Sequence, residues 1–180
     1  MITIISGTDR HDGLTGLLAQ HYAEVMQSKT AEIVKVFSLE NLPQDLYGKH
    51  MYDKTTLSPA FQDIENTFLI EADKLFFVIP EYNGSFPGIL KLFIDACSIR
   101  SKMAIFKGKK VGLVGIATGR AGNIRGLEHF ASVMMFMGVT VLPNLLPISG
   151  FNKLITDDKK IHDDMTLKAI EKQIEEFLKF

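Results

Sequence analysis

Three polar, glycine-bearing stretches hold most of the residues in this 180-residue chain whose types and spacing suit a small ligand. The first is Ser6-Gly7-Thr8-Asp9-Arg10-His11-Asp12-Gly13, with Leu14 and Thr15 after it. The second is Pro80-Glu81-Tyr82-Asn83-Gly84-Ser85-Phe86-Pro87-Gly88, and the third is Thr118-Gly119-Arg120-Ala121-Gly122-Asn123. A small, hydroxyl-rich loop that opens a helix favours an anion, because free N–H groups and the helix dipole point at it. The same residues also serve a tight turn with no ligand at all. No Ser–His–Asp set or pair of carboxylates can be singled out, and the five histidines lack metal-ligand spacing. Asp157-Asp158 and Asp163-Asp164 lack the EF-hand pattern, so no metal is expected. Cys97 falls inside a helical pattern, away from the anion loop. The Gly-x-Gly-x-x-Gly and Gly-Lys-Thr phosphate patterns are missing too. A chain with no acid, base or nucleophile set of its own fits an enzyme whose chemistry belongs to a bound cofactor.

The elements that must position these loops are legible. Leu75-Phe76-Phe77-Val78-Ile79 is apolar without alternation, as is a strand buried on both faces of a parallel sheet. Val111 to Ala117, apolar apart from two glycines, reads the same way. Met1 to Ile5 predicts a strand, followed by a helix with Leu14, Leu18, Tyr22 and Met26 on one face. Ala31 to Phe37 predicts a strand whose Glu32 and Lys35 suit an edge. Ser58-Pro59, Pro87 and the Asp163-Asp164 pair mark helix starts, and apolar stripes continue each helix. Leu127, Phe130, Val133, Met134 and Met137 form a further stripe, and Val139 to Leu142 a last strand stopped by Pro143.

Lys107-Gly108-Lys109-Lys110 reads as a solvated turn, and Asn144 to Lys160 as loop. Leu39 to Leu57 is a long irregular stretch, read as a border of the site or a subunit contact. The result is an α/β fold: a flavodoxin-like three-layer sandwich, with a five-stranded parallel sheet of order 2-1-3-4-5 and helices on both faces. Residues 1–180 form one domain in this reading. Its ligand crevice lies outside the carboxyl ends of the strands, where the three loops converge.

Composition narrows the classes. Hydrophobic residues make up 46%, ordinary for a folded domain, and the net charge of -1 offers nothing to nucleic acid or an anionic membrane. No apolar run reaches membrane-spanning length. A single cysteine allows no internal disulfide, and Met1 leads into Ile2-Thr3-Ile4-Ile5 without a signal-peptide pattern, so a cytoplasmic location is expected.

The run from Pro80 to Asp95 closely resembles the signature of the NADPH-dependent FMN reductase family, which includes flavin, quinone, azo-dye and chromate reductases. Gly7-Thr8-Asp9-Arg10 resembles that family's phosphate loop, and Thr118 to Asn123 its third loop. The resemblance implies an FMN-binding domain that passes hydride from NADPH or NADH to flavin N5, then on to a flavin, quinone or similar acceptor. It implies that Thr8, Asp9, Arg10, Gly13, Leu14 and Thr15 surround the FMN phosphate. Pro80, Glu81, Tyr82, Asn83, Gly84 and Ser85 would line the isoalloxazine ring, Asn83 with its side chain. Thr118, Gly119 and Arg120 would approach the pyrimidine end. No protein side chain is implied as catalytic, since the flavin carries the reaction.

A homodimer or homotetramer is also implied, with the helix of Lys91, Phe93, Ile94, Asp95 and Cys97 at a subunit interface. Gly13 and Thr15 stand where the family has Ser and Asn. Each lost hydrogen bond to a charged group is worth about 1.5–3 kcal/mol, so FMN is expected to be held more weakly, or to act as a dissociating substrate. The alternatives are a flavodoxin-like electron carrier and a family member that has lost flavin and serves as a binding protein.

Overall fold

The computed structural model describes residues 1–11, 13–46, 52–53, 58–101 and 105–180, except for the side chains of 100 and 101. Tyr47, Gly48 and Met51, in the stretch read as a site border or subunit contact, lie outside the described residues. Two short helical turns, Leu39–Asn41 and Gln44–Leu46, begin that stretch.

Strand β1 (Ile2–Ser6) lies between β2 (Val34–Ser38) and β3 (Lys74–Pro80), and β4 (Lys110–Ile116) follows β3, all paired in parallel. With β5 (Thr140–Val141) the order is β2-β1-β3-β4-β5, as read from the sequence. Because β3 is covered on both faces, its residues divide by parity. Leu75, Phe77 and Ile79 face one core, Phe76 and Val78 the other, and all five are fully buried. Helices α1 (Leu14–Lys29) and α5 (Asp164–Lys179) cover the second core with Leu18, Tyr22, Met26, Ile170, Ile174 and Phe177. Helices α2 (Pro59–Ile64), α3 (Gly88–Ser101) and α4 (Ile124–Phe136) cover the first with Phe61, Phe93 and Phe130. Each such side chain contributes about 1.5–3 kcal/mol by leaving water.

The fifth position of the sheet is shared. β5 pairs only with Lys110 and Val111, the chain leaves the ladder at Pro143, and β6 (Leu146–Ile148) rejoins it against Val114 to Ile116. β6 lies in the stretch read as loop. A proline in mid-strand weakens the sequence signal, yet it is tolerated at a sheet edge, where Pro147 stands exposed.

The basic turn before β4 is corrected by the structure. Lys109 is not a solvated residue: its Nζ donates to the carbonyls of Leu69, Ile70 and Ala72. Those carbonyls close a π-helical turn, Glu65–Ile70, that extends α2. Burial lowers the Lys109 pKa below the ordinary lysine value, with Asp73 and Glu71 acting against it. A second buried polar joint crosses the other core. The Tyr22 hydroxyl donates to Gln173 Oε1 at 2.7 Å, and Gln173 Nε2 donates to the carbonyls of Leu113 and Asn144 at 2.9 and 2.8 Å.

Candidate functional site

The site is built where β1, β3 and β4 end. Gly7 leaves β1 so close to β3 that a Cβ there would lie 2.9 Å from the Val78 carbonyl oxygen and 3.2 Å from a Leu90 methyl. Its own N–H donates to Val78 O at 2.9 Å. The chain then rises to Thr8, which is 3% exposed, and its Oγ1 accepts from Arg10 N at 3.2 Å and lies 2.7 Å from the Tyr82 hydroxyl. That contact joins the first loop to the second.

Helix α1 begins directly after this loop, and Gly13 at its cap position supplies no side-chain hydrogen bond. The first-turn N–H groups of a helix have no partner within it, so an uncapped start leaves donors for a ligand. Thr15 is 4% exposed, and its hydroxyl, open to the cleft, has no hydrogen-bond partner among the described residues. The Arg10 guanidinium, exposed above it, makes no ion pair among the described residues.

The second loop leaves β3 with one more ladder bond, Glu81 N to Ile116 O at 2.9 Å. Tyr82 and Ser85 then exchange two backbone hydrogen bonds, of 2.9 and 3.1 Å, around Asn83 and Gly84. With φ of 52° and 81°, these two residues form a type I′ turn, for which Asn-Gly is the favoured pair. Asn83 therefore stands exposed at a hairpin tip. Ser85 Oγ lies 2.9 Å from His129 Nδ1 of α4, and the His129 ring packs on Phe86 at 4.8 Å.

The third loop is tied to the second by Asn123, which is 1% exposed and donates through Nδ2 to Ile79 O at 3.0 Å. Asn123 adopts φ 67°, a left-handed conformation that asparagine enters more readily than most residues. A Cβ on Gly126 would lie 2.1 Å from Asn123 Oδ1 and 2.9 Å from Phe86 N. Glycine is what lets α4 sit this close to the hairpin.

These loops enclose a cleft of about 450 Å³, within the range of small-molecule sites. Of the residues expected from the sequence, Thr8, Arg10, Gly13, Leu14, Thr15, Pro80, Glu81, Tyr82 and Thr118 line it. Asp9, Asn83, Gly84, Ser85, Gly119 and Arg120 do not line it. Asp9, Asn83, Gly119 and Arg120 are exposed around it. His11, Ile116, Ala117, Phe151 and Asn152 line it without having been expected. Ile116 and Ala117 follow from running β4 to its end. Phe151 and Asn152 are brought in by pairing that spacing does not reveal: Gly150 N and Phe151 N donate to Gly119 O and Ala117 O at 3.3 and 3.0 Å. His11 is held by Glu40, from the segment after β2.

A phosphate fits the base of this cleft. The Thr15 hydroxyl and the uncapped start of α1 line it and the exposed Arg10 cation stands over it, the donor set that a phosphomonoester needs. A family model described as NADPH-dependent FMN reductase matches residues 1–153. The chain belongs to the NADPH-dependent FMN reductase family. An NAD(P)H-dependent FMN reductase of Pseudomonas aeruginosa is 29% identical to it over 136 residues, covering 73% of this chain and 72% of that protein. A 2-hydroxy-1,4-benzoquinone reductase of a Burkholderia species is 26% identical over 144 residues, covering 78% and 73%. In fold, the chain is similar to the flavoenzyme NAD(P)H:(acceptor) oxidoreductase of Paracoccus denitrificans, with a TM-score of 0.78 at 19% identity over 99% of this chain and 94% of that one.

Proposed function

We infer that this protein is an FMN-dependent NAD(P)H oxidoreductase that reduces quinone-like or flavin acceptors. One observation carries the reading: Thr15, 4% exposed, turns a hydroxyl without a partner among the described residues to the cleft that β1, β3 and β4 jointly build. A hydroxyl that no other group of the described residues engages, and that opens to the cleft, is available to bond a ligand oxygen there. Thr8, Arg10, Gly13, Leu14 and Thr15 would hold the phosphate, and Pro80, Glu81, Tyr82 and Thr118 would border the ring. FMN, when bound, supplies the hydride acceptor and donor that the chain lacks.

The protein's part is positioning. Thr8 Oγ1 accepts from Arg10 N, so a hydrogen bond donated by the Tyr82 hydroxyl would leave the Thr8 proton free to turn to phosphate. The same bond sets the distance between the phosphate loop and the ring loop. Asn123 and Gly126 fix the third loop against the hairpin, so ring and phosphate contacts form together. The whole chain, 1–180, acts as one FMN-binding domain in this reading, in the cytoplasm. No helix among the described residues is long and apolar enough to cross a membrane.

A second copy of the chain belongs to the proposal, with its contact extended from the helix the sequence pointed to onto α4. Phe93, Ile94 and Cys97 are buried against their own sheet, and Lys91 pairs with Asp95 on its own helix at 2.6 Å. One exposed apolar patch lies on α4: Phe136 is 80% and Met135 59% exposed, beside a groove between α3 and α4. Lys91 and Asp95 line this groove one turn apart, an arrangement complementary to itself across a two-fold axis.

The test is titration of the purified apoprotein with FMN by flavin fluorescence, followed by NADPH and NADH oxidation with a quinone on the same sample. Saturable binding with nicotinamide oxidation is expected. Binding without oxidation would leave an electron carrier, and no binding would overturn the reading.

A further inference from the structure

The cleft is not the whole of the concave surface at the phosphate loop. A second, open groove of about 770 Å³ shares Arg10, Gly13 and Leu14 with it, and continues along α1 past Gly16 and Leu17 to Lys159 and Lys160. Gly16 gives the groove its clear floor. A Cβ built there would meet nothing within 4 Å, and its φ is not in the left-handed range, so neither packing nor backbone requires glycine. Glycine is up to about 1 kcal/mol poorer than alanine in a helix, and here it leaves open space in return.

At the far end, a small hairpin closed by the Ile155–Ile161 bridge carries Lys159 and Lys160 at the groove. Lys160 pairs with Asp158 at 2.9 Å, and Lys159 makes no ion pair among the described residues. Two carboxylates also line the groove, Glu24 and Glu40, and Gln20 and His11 hold them.

We propose that this groove holds the adenylate half of a flavin dinucleotide, so that the protein takes FAD as well as FMN. The proposal rests on the FMN site inferred above. In FAD the adenylate is joined to the flavin through the phosphate that the first loop would hold. A groove for it must therefore start at that loop, and this one does. Arg10, common to both cavities, faces the second phosphate. Leu14 and Leu17 give the adenine an apolar surface, and Lys159 and Lys160 supply positive charge at the open end. No bond is made or broken; the groove is a binding subsite.

The experiment titrates the wild-type protein, Gly16→Leu and the double variant Lys159→Glu/Lys160→Glu with FMN and, separately, FAD, following flavin fluorescence. Leucine at 16 extends into open groove and does not touch the cleft. The expected result is wild-type FAD affinity at least equal to that for FMN, with each variant losing about tenfold or more for FAD and keeping its FMN affinity. Retained FMN binding shows that each variant is folded. If wild-type FAD binds about tenfold more weakly than FMN, or if Gly16→Leu binds FAD unchanged, the groove is not the adenylate site. Failure of the wild type to bind FMN at all would instead overturn the FMN site, and the adenylate subsite with it.

Discussion

At the scale of single residues, Thr15 carries more of the site than its type suggests. It stands where the family has asparagine, a change that reads from sequence as an amide lost and a hydroxyl kept. In the fold it is 4% exposed, lines the cleft, and has no partner among the described residues. Thr15→Val keeps the shape and removes only the hydroxyl. Stability should change by less than about 0.5 kcal/mol, since no protein contact is lost. FMN affinity should fall about tenfold to a hundredfold, the worth of one hydrogen bond to a charged group. Thermal melting and flavin titration of the same variant separate the two effects. Asn83 teaches the opposite lesson. It reads as a ring contact by resemblance, yet φ of 52° and the two Tyr82–Ser85 hydrogen bonds give it a turn to make. Sequence names residues that matter without saying whether the reason is contact or conformation.

At the scale of elements, helix starts and strand ends place the loops. Helix α5 starts at Asp163, whose carboxylate accepts from Thr166 N at 2.8 Å. That bond lowers the Asp163 pKa below the usual aspartate value. A carboxyl depressed in the fold stabilises above its unfolded pKa and ceases to do so as pH falls through its folded value. Asp163→Ala should therefore melt at a lower temperature than wild type at pH 7. The gap should close on acidification below about pH 4, near the ordinary aspartate value. A gap that persists at pH 2 would mean that the cap acts through something other than its charge.

The caps and apolar stripes behind the helices are local, so they were legible in sequence. β6 was not, because Pro147 breaks its pattern and its pairing with Val114 to Ile116 lies more than thirty residues away. Lys109 escaped for a similar reason: the carbonyls it binds end a π-helical turn some forty residues earlier.

At the scale of the whole molecule, the exposed Phe136 and Met135 and the groove between α3 and α4 bear on assembly. Phe136→Glu should turn an oligomer into a monomer, measured by light scattering at matched concentration. Monomer stability should shift by less than about 0.5 kcal/mol, because an 80% exposed side chain has little packing to lose. A wild-type protein that is already monomeric would refute this interface. The Ser85–His129 bond joins the groove to the ring loop, so loss of the second copy should weaken flavin binding without abolishing it.

The sequence by itself determined the first five strands, the α-helices, the order of those strands in the sheet and the three loops at its carboxyl edge. Those follow from hydrophobic periodicity and from capping and turn residues, which act over a few positions of chain. Only the tertiary structure decided which loop residues face the cleft, and that Phe151 and Asn152 join it. It also set Asn123 as the brace between two loops and opened a second groove at the first loop over Gly16. These depend on hydrogen bonds and close approaches between segments tens of residues apart, and composition and spacing carry no trace of them.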